Sequence, residues 1–352
     1  MTGLQKLLSR IGPPDPPLAS RAQARLDQLT KPVGSLGRLE ELACRLVEMT
    51  GNDPPTVRRP VIFTLAGDHG VVAEGVSAYP QVVTAQMLEN FIRGGAAINV
   101  LARHAGADVL VADFGVAAPV PSEPGLVSRR IGPGTKNMAR EPAMTREQAL
   151  AAIEAGIGLV EAECCQGVDL IGTGEMGIGN TTAASAIAAA FTGAPVEAVT
   201  GHGTGIDKTT WKVKVAVIRR ALEVNRPDPR DGLDVLAKVG GFEIGGLAGV
   251  ILAGAARRIP VVLDGFIAGA SALIAVALKP EARHYLLASH CSVEPGHRVI
   301  LEHLGLRPYL DLELRLGEGT GAALAFTLIQ AAVKIYTEMA TFKSAGISEK
   351  QT

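Results

Sequence analysis

The spacing of hydrophobic and polar positions changes near residue 57. Before that point, apolar residues recur every three or four positions, as Leu36, Leu39, Leu42 and Leu46 do, which is the spacing of an amphipathic helix. After it, short runs rich in β-branched residues alternate with glycine-rich turns and alanine-rich segments. The pattern predicts helices at the N-terminus and then a long α/β section.

Five short apolar runs in this section are predicted to be strands. They are Val61–Leu65, Asp108–Ala112, Val168–Ile171, Val261–Leu263 and Tyr285–Ala288. Helices are predicted over Thr84–His104, Asn180–Phe191 and Gly265–Leu278. Strands that alternate with helices in this way are typical of βαβ units, and they indicate a mostly parallel sheet flanked by helices. Ligands of such sheets bind outside the carboxyl ends of the strands.

Both ends of the chain lie outside the alternating section. A long helix is predicted from Ala322 to about Met339, directly after a glycine-rich loop. We predict that residues 1–56 and 320–352 form a small helical subdomain from both chain termini. Residues 57–319 then form one large α/β domain, whose strand-end loops are expected to bind the ligands.

Composition narrows the class of protein. The chain has 352 residues, of which 47% are hydrophobic and 20% charged, so we expect a folded core. A net charge of −1 and few aromatic residues argue against nucleic acid as a partner. No segment has the pattern of a signal peptide or a membrane span. The four cysteines lack paired spacing and are expected to be reduced thiols. We therefore expect a cytoplasmic protein.

Glycine is abundant, with 41 residues, and the richest run is G-T-G-E-M-G-I-G at 172–179. Its spacing matches the G-x-G-x-x-G fingerprint of dinucleotide sites, which makes an NAD-dependent oxidoreductase one alternative. Glu175, however, would repel a pyrophosphate and is better suited to hydrogen-bond a neutral ring that bears an N–H group. Glu197, near the expected ribose-binding distance, lies in a polar loop. A further alternative is a glycine turn that serves only tight packing.

A second glycine-rich loop, G-H-G-T-G-I-D at 201–207, precedes three lysines. Its spacing is not that of a P-loop, but glycines with nearby lysines suit a monophosphate. The alternative is a solvated turn with surface lysines, which fits Lys208 and Lys212 better than Lys214. A non-enzymatic nucleotide-binding protein is a further alternative for the whole chain.

Three acidic or histidine-containing loops complete the candidate chemistry. Glu318 lies in G-E-G-T-G before a helix, where it is either a general base or a helix-capping residue. Asp68 and His69 follow a predicted strand, and we favour a hydrogen-bonded organiser of the loop over an acid/base pair or a metal site. The third loop has metal-ligand residue types, but its histidine spacing fits no standard site, and we favour a hydrogen-bonded structural role at the edge of a site or of a subunit interface. It comprises His290, Cys291, Glu294 and His297.

Taken together, these segments resemble the nicotinate-nucleotide–dimethylbenzimidazole phosphoribosyltransferase family of cobalamin nucleotide-loop assembly. The resemblance runs from about residue 29 to 342, in the family's order. The matching stretches are L-T-K-P-V-G-S-L-G-R-L-E, A-G-D-H-G-V, E-G-V-S-A-Y-P-Q-V-V-T-A-Q-M, F-I-R-G-G-A-A-I-N-V-L-A, I-G-T-G-E-M-G-I-G-N-T-T, K-V-G-G-F-E-I-G-G-L, L-D-G-F, S-H-C-S-V-E-P-G-H and L-G-E-G-T-G-A-A-L.

The resemblance implies a Rossmann-like homodimer, with the active site bordered by the partner subunit, that needs no metal or cofactor. It implies transfer of phosphoribose from nicotinate mononucleotide to 5,6-dimethylbenzimidazole, giving α-ribazole 5′-phosphate and nicotinate. Glu318 would be the catalytic base, Glu175 would contact the aromatic base and Lys214 the phosphate. The remaining implied substrate-binding residues are Gly177, Gly203, Gly205, Tyr79, Gln86 and Leu316.

One position departs from the family pattern. The loop is often G-R-G-T-G, whereas this chain has His202 in place of the arginine. If the arginine supplies positive charge near the phosphate, the histidine makes that contribution weaker or dependent on pH. The sequence does not indicate which aromatic base is preferred.

Overall fold

Six parallel strands form one sheet in the computed structural model, which describes residues 3–120 and 123–348. The strands are β1 (Pro60–Gly67), β2 (Asp108–Gly115), β3 (Leu126–Ser128), β4 (Leu170–Met176), β5 (Val261–Leu263) and β6 (Leu286–Ala288). Their order in the sheet is β3-β2-β1-β4-β5-β6. This is the strand order of a Rossmann fold, so the predicted α/β class is confirmed.

Helices cover both faces of the sheet and also lie near both ends of the described part of the chain. In the first part of the chain they are α1 (Gly3–Leu8), α2 (Pro16–Asp27), α3 (Arg38–Thr50), α4 (Val83–Ile92), α5 (Ala97–Ala105), α6 (Arg146–Cys164) and α7 (Asn180–Thr192). In the second part they are α8 (Val196–Val199), α9 (Lys208–Asn225), α10 (Gly232–Val239), α11 (Phe242–Ala256), α12 (Phe266–Leu278), α13 (Pro295–Leu304), α14 (Thr320–Glu338) and α15 (Phe342–Ala345). Short 3₁₀ turns span Gly70–Glu74 and Pro280–Tyr285.

The five predicted strands and most predicted helices are present, with two corrections. The segment predicted as one helix over Thr84–His104 is two helices, α4 and α5, because Gly94 between them has a φ of +75°, which a continuing helix cannot adopt. The run predicted as a loop from Gly172 is the second half of β4, which continues to Met176.

Small residues bring helices α6 and α11 close together in the core. A Cβ atom at Gly156 would overlap the carbonyl oxygen of Gly246, and one at Gly249 would overlap that of Ile153. Every residue of α11 from Phe242 to Ala255 is buried, so this helix crosses the interior with no solvent-facing side. Part of the glycine surplus is therefore explained by helix packing rather than by loops.

The two chain ends meet. Thr30 N–H donates to the carbonyl of Ala340 at 3.0 Å, and Phe342 N–H donates to that of Gln28 at 3.0 Å. Helix α14 packs on α3 and also on α5 and the sheet. The division into residues 1–56 with 320–352 and residues 57–319 stays a prediction, and residues 1, 2 and 349–352 lie outside the described part. In that described part, no helix is both long and apolar enough to cross a membrane.

Candidate active site

The candidate site lies where the strand order reverses, between β1 and β4. These strands are neighbours in the sheet, but the chain leaves them towards opposite edges. A crevice therefore opens outside their carboxyl ends, which is where open α/β sheets bind ligands. The carboxyl end of β1 leads into Asp68 and His69, and the carboxyl end of β4 carries Glu175.

Asp68 and His69 organise the loop after β1. The Asp68 carboxylate accepts hydrogen bonds from the Thr84 hydroxyl at 2.7 Å and from the Ala117 N–H at 2.8 Å. His69 Nε2 lies 2.7 Å from Glu243 Oε1, and both side chains are buried. Burial lowers the pKa of His69, but the charge and hydrogen bond of Glu243 more than offset this, so the net pKa is raised. The organiser role predicted for the pair is supported.

Glu175 is a buried carboxyl group that faces the crevice. One of its oxygens accepts a hydrogen bond from the Asn180 side chain, in the first turn of α7. Burial and the nearby carboxylate of Asp264 raise the pKa of Glu175 to about 8. The group is therefore mostly neutral near pH 7, and a neutral carboxyl group can donate a hydrogen bond as well as accept one.

The glycines of the G-x-G-x-x-G match do not form a phosphate-binding loop. Gly172 and Gly174 lie within β4, where a Cβ atom at Gly172 would crowd Ile62 and Phe326. At Gly174 it would overlap the carbonyl oxygen of Glu318, and at Gly177 that of Gly67. These glycines let other segments pack against the strand end, so the dinucleotide interpretation is not supported. Consistently, Glu197 pairs with Arg219.

Glu318 lies in a left-handed loop directly before α14. Its φ is +65°, between Gly317 at +88° and Gly319 at +101°. Its carboxylate accepts a hydrogen bond from the N–H of Ile98, in the first turn of α5, at 3.2 Å. Burial raises the pKa of Glu318, although this hydrogen bond opposes the change. The capping alternative is not supported, because the Glu318 side chain is bonded to α5 rather than to its own helix.

Lys214 is fully buried, unlike the two lysines before it. Lys208 and Lys212 are exposed, whereas Lys214 is 1% exposed. Its ammonium group donates to the Thr181 hydroxyl at 2.8 Å. Burial lowers the pKa of Lys214 to about 8, although the carboxylate of Glu294 opposes this. A lysine held in this way is positioned for an anion.

The loop that carries Gly203 closes over Lys214. The N–H of Gly203 donates to Glu294 Oε1 at 2.8 Å, and the N–H of Gly205 donates to the carbonyl of His202 at 3.0 Å. His202 itself is exposed, and its Nδ1 lies 2.9 Å from the carbonyl oxygen of Ile206 in the same loop. Of the three glycines implied as substrate contacts, Gly203 and Gly205 thus have backbone N–H groups that are already hydrogen-bonded in this structure.

A cavity of about 330 Å³ joins these elements. Five of the implied site residues line it, namely Tyr79, Glu175, Gly177, Gly203 and Leu316. Glu318 follows the lining residue Gly317, and Lys214 contacts the lining residue Thr181. Gly205 lines an adjacent cavity instead. Gln86 is exposed on α4 and is not among the lining residues of either cavity.

The structure adds residues that the sequence did not single out. Asn180 and Thr181 hold Glu175 and Lys214, and Arg315 lines the cavity and donates to the carbonyl of Gly203 at 3.1 Å. Asp264, directly after β5, accepts the N–H groups of Gly319 and Gly321 at the start of α14. A polar residue directly after a buried strand was the available signal for Asp264.

The histidine-rich segment borders the cavity. His290, Ser292 and Glu294 are lining residues, and His297 Nδ1 accepts the Ser292 N–H at 3.0 Å. Within residues 3–120 and 123–348, no three His, Cys, Asp or Glu side chains are arranged to hold a metal ion. The predicted structural role at the edge of a site is consistent with these contacts.

Comparisons with known proteins identify the family and agree with the fold. A family model described as phosphoribosyltransferase matches residues 11–347. A nicotinate-nucleotide–dimethylbenzimidazole phosphoribosyltransferase from Chloroflexus aggregans is 59% identical, with 100% of this chain and 99% of that protein covered. One from Geobacter sulfurreducens is 59% identical over 99% of both chains. The crystal structure of the Thermus thermophilus protein of that name has a TM-score of 0.90 at 49% identity, covering 96% of this chain and 100% of that one.

The Rossmann-type sheet and the family match define an enzyme of the phosphoribosyltransferase class. Since full-length relatives of one name are 59% identical to it, the chain belongs to the nicotinate-nucleotide–dimethylbenzimidazole phosphoribosyltransferase family. The resemblance noted in the sequence is confirmed.

Proposed function

We propose that the protein transfers phosphoribose from nicotinate mononucleotide to 5,6-dimethylbenzimidazole. The products are α-ribazole 5′-phosphate and nicotinate, and the reaction supplies the lower ligand of cobalamin. The observation that carries the proposal is that Glu175 and Glu318 are joined through their main chains beside a cavity whose lining residue Thr181 is bonded to the buried ammonium group of Lys214. A flat base with an N–H group fits the two carboxyl groups, and a phosphate fits the lysine.

The chemistry of the substrates explains why two carboxyl groups suffice for the transfer reaction. Nicotinate mononucleotide carries a cationic pyridinium, so nicotinate leaves with the electron pair of the C1′–N bond and its ring nitrogen becomes neutral. The lone pair of one benzimidazole nitrogen attacks C1′ from the opposite face. A single displacement of this kind inverts the β-nucleotide to an α-product.

Glu318 is proposed as the general base of this displacement. As the new bond forms, positive charge develops on the benzimidazole, and the Glu318 carboxylate removes its N–H proton. A raised pKa makes the carboxylate a stronger base near neutral pH. General-base catalysis contributes typically about 10²–10⁴-fold to the rate, and positioning in a crevice that excludes water adds to this.

The other residues bind the substrates. Glu175 holds the ring of the aromatic base, and Lys214 binds the phosphate. Backbone N–H groups of Gly177, Gly203 and Gly205 contact the nucleotide. Because the Gly203 N–H is bonded to Glu294, phosphate binding requires that loop to adjust. Tyr79 and Leu316 line the base pocket, and Gln86 is proposed to approach the bound base from α4.

We propose further that the enzyme acts as a cytoplasmic homodimer. Tyr79 and Leu316 are 53% and 58% exposed at the cavity. A partner subunit that borders the site would cover such apolar groups. Nucleic acid is not proposed as a partner, since the net charge is −1.

The test is turnover of the Glu318→Gln variant. Release of nicotinate in the presence of dimethylbenzimidazole should slow at least tenfold, while binding of nicotinate mononucleotide measured by calorimetry changes little. Near-normal turnover would remove Glu318 from the mechanism. No nicotinate release by the unaltered protein above background would contradict the proposed reaction. Several aromatic bases offered in one tube would then establish the preferred acceptor.

A further inference from the structure

The loop that carries Glu318 places this glutamate in a backbone conformation that its residue type rarely adopts. Three successive residues, Gly317, Glu318 and Gly319, have positive φ values. Glycine adopts this region freely, but glutamate does so rarely, because its Cβ crowds the backbone. Something outside the loop must therefore hold Glu318 in place.

Asp264 provides that contact from the end of β5. Its Oδ2 accepts the N–H of Gly319 at 3.1 Å, and its Oδ1 accepts the N–H of Gly321 at 2.7 Å. Both N–H groups belong to the unpaired start of α14, and Gly319 at the N-cap has no side chain with which to accept them. The two bonds span Thr320 and fix the residue that directly follows Glu318.

Asp264 is itself held rigidly. It is 1% exposed, its N–H donates to the Thr173 hydroxyl at 3.1 Å, and its carbonyl accepts the Ser289 hydroxyl at 2.8 Å. On the other side of the loop, the Thr64 hydroxyl donates to the carbonyl of Glu318 at 3.0 Å. Anchors on β1 and after β5 thus hold the backbone of Glu318 from two directions.

We propose that Asp264 is a positioning residue for catalysis, which holds the Glu318 loop so that the Glu318 carboxylate reaches the proton of the aromatic base. The inference rests on the proposed role of Glu318 as the general base. A positioning role differs from ordinary helix capping in one measurable respect. The loss of the Asp264 carboxylate should lower kcat only in a protein that still has the Glu318 carboxylate.

The first test is the Asp264→Asn variant. An amide has one oxygen, so its NH₂ group must face one of the two N–H donors. We expect kcat to fall at least tenfold, with the KM for nicotinate mononucleotide changed less than threefold. The matched control is Asp231→Asn, since Asp231 caps α10 through the N–H groups of Leu233 at 3.1 Å and Asp234 at 3.2 Å, as an N-terminal cap without a proposed catalytic role. That variant should lose thermal stability but keep its kcat.

A double-mutant cycle provides the decisive readout. In a Glu318→Gln background, Asp264→Asn should reduce kcat by less than twofold, because no base remains to be positioned. An equal further loss in that background would overturn the proposal, as would a kcat within twofold of normal for Asp264→Asn alone. If Asp264→Asn does not fold, Asp264→Ser, which keeps one oxygen acceptor, is measured in the same cycle with the same criteria. Near-normal turnover of Glu318→Gln alone would instead contradict the proposed role of Glu318 as the general base, and absence of nicotinate release by the unaltered protein would contradict the proposed reaction.

Discussion

The backbone N–H of Glu318 donates a hydrogen bond to the carbonyl oxygen of Glu175, at 3.3 Å. The two proposed functional carboxyl groups are therefore joined through their own main chains, at the end of β4. The contact is possible because the residue before Glu175 is Gly174, whose missing side chain leaves room for the carbonyl group of Glu318. The relative position of the two groups depends on this close approach.

The first prediction concerns Gly174→Ala. The added Cβ would overlap the Glu318 carbonyl oxygen and displace the loop, so we expect a loss of ~1–3 kcal/mol in stability, as in other overpacked cores, and at least a tenfold loss in kcat. Thermal unfolding and nicotinate release measure the two effects. Gly158→Ala is the control, because Gly158 is exposed in α6 with open space at its Cβ position. It should keep its activity and gain up to about 1 kcal/mol. Full activity of Gly174→Ala would mean that the loop adapts.

The glycines of β4 also explain why a loop was wrongly predicted for the second half of this strand. Continuous apolar runs rich in β-branched residues predicted the buried strands, because burial on both faces of a sheet leaves no polar positions in a strand. The second half of β4 has no such pattern, since Gly172 and Gly174 are there to accommodate α14 and the Glu318 loop. The segments that pack against a strand are determined by the tertiary structure. The sequence alone showed only the glycines, and these predicted a loop.

The residue types at the candidate site could be predicted from the sequence, but the contacts between them could be predicted only in part. Glu175 and Glu318 stood out as carboxyl groups in glycine-rich segments, and the family resemblance implied their roles and that of Lys214. The role of Asp264 could not, because the bonds it accepts from Gly319 and Gly321 join segments that are distant in sequence. The helix break at Gly94 was likewise hidden in a continuous helical pattern.

The second prediction is that stability falls as pH rises from about 5 to 8. Burial raises the pKa of Glu175 to about 8 and that of Asp264 to about 7. The folded state then binds protons that the unfolded state has released. The contribution of these two groups to the unfolding free energy is therefore highest below the ordinary carboxyl pKa and declines until the folded pKa is passed, and it outweighs the opposite contribution of His297, whose pKa burial lowers to about 3. We expect a loss of at least ~2 kcal/mol over this range, measured by denaturant unfolding at several pH values.

Glu175→Gln is the matched variant for this effect. The amide has nearly the same shape but does not titrate, so the variant should match the unaltered protein at pH 5 and be more stable than it at pH 8. Part of the slope should remain, because Asp264 still titrates. A variant with the full pH dependence would show that Glu175 does not hold a proton in the folded protein.

The third prediction is that the protein takes up a proton from solution when it binds nicotinate mononucleotide at pH 8. Burial lowers the pKa of Lys214 to about 8, so about half of the molecules have a neutral lysine at that pH. A bound phosphate dianion favours the charged form, and the lysine should take up roughly 0.5 proton per site. Calorimetry in two buffers with different ionisation enthalpies measures this uptake.

Lys214→Met and Lys212→Met form the comparison for proton uptake. Lys212 is exposed two residues earlier on α9, and its loss should change neither the affinity nor the uptake. Lys214→Met should abolish the uptake and weaken binding at least about tenfold, because a charge-assisted hydrogen bond is removed. Unchanged uptake in Lys214→Met would assign the proton to another group.

The fourth prediction concerns the buried pair of His69 and Glu243, whose nitrogen and oxygen atoms are 2.7 Å apart. His69→Ala leaves the Glu243 carboxylate buried without its histidine, which typically costs ~3–5 kcal/mol. Adding Glu243→Gln to that variant should restore part of the loss, because a neutral amide is less costly to bury than a charge. For comparison, Glu89→Ala breaks a partly exposed pair with Arg93 and should change stability by less than about 0.5 kcal/mol. If denaturant unfolding shows equal effects for His69→Ala and Glu89→Ala, the buried pair is not what stabilises the loop after β1. A large loss without recovery in the double variant would assign the effect to packing of the imidazole ring rather than to its charge.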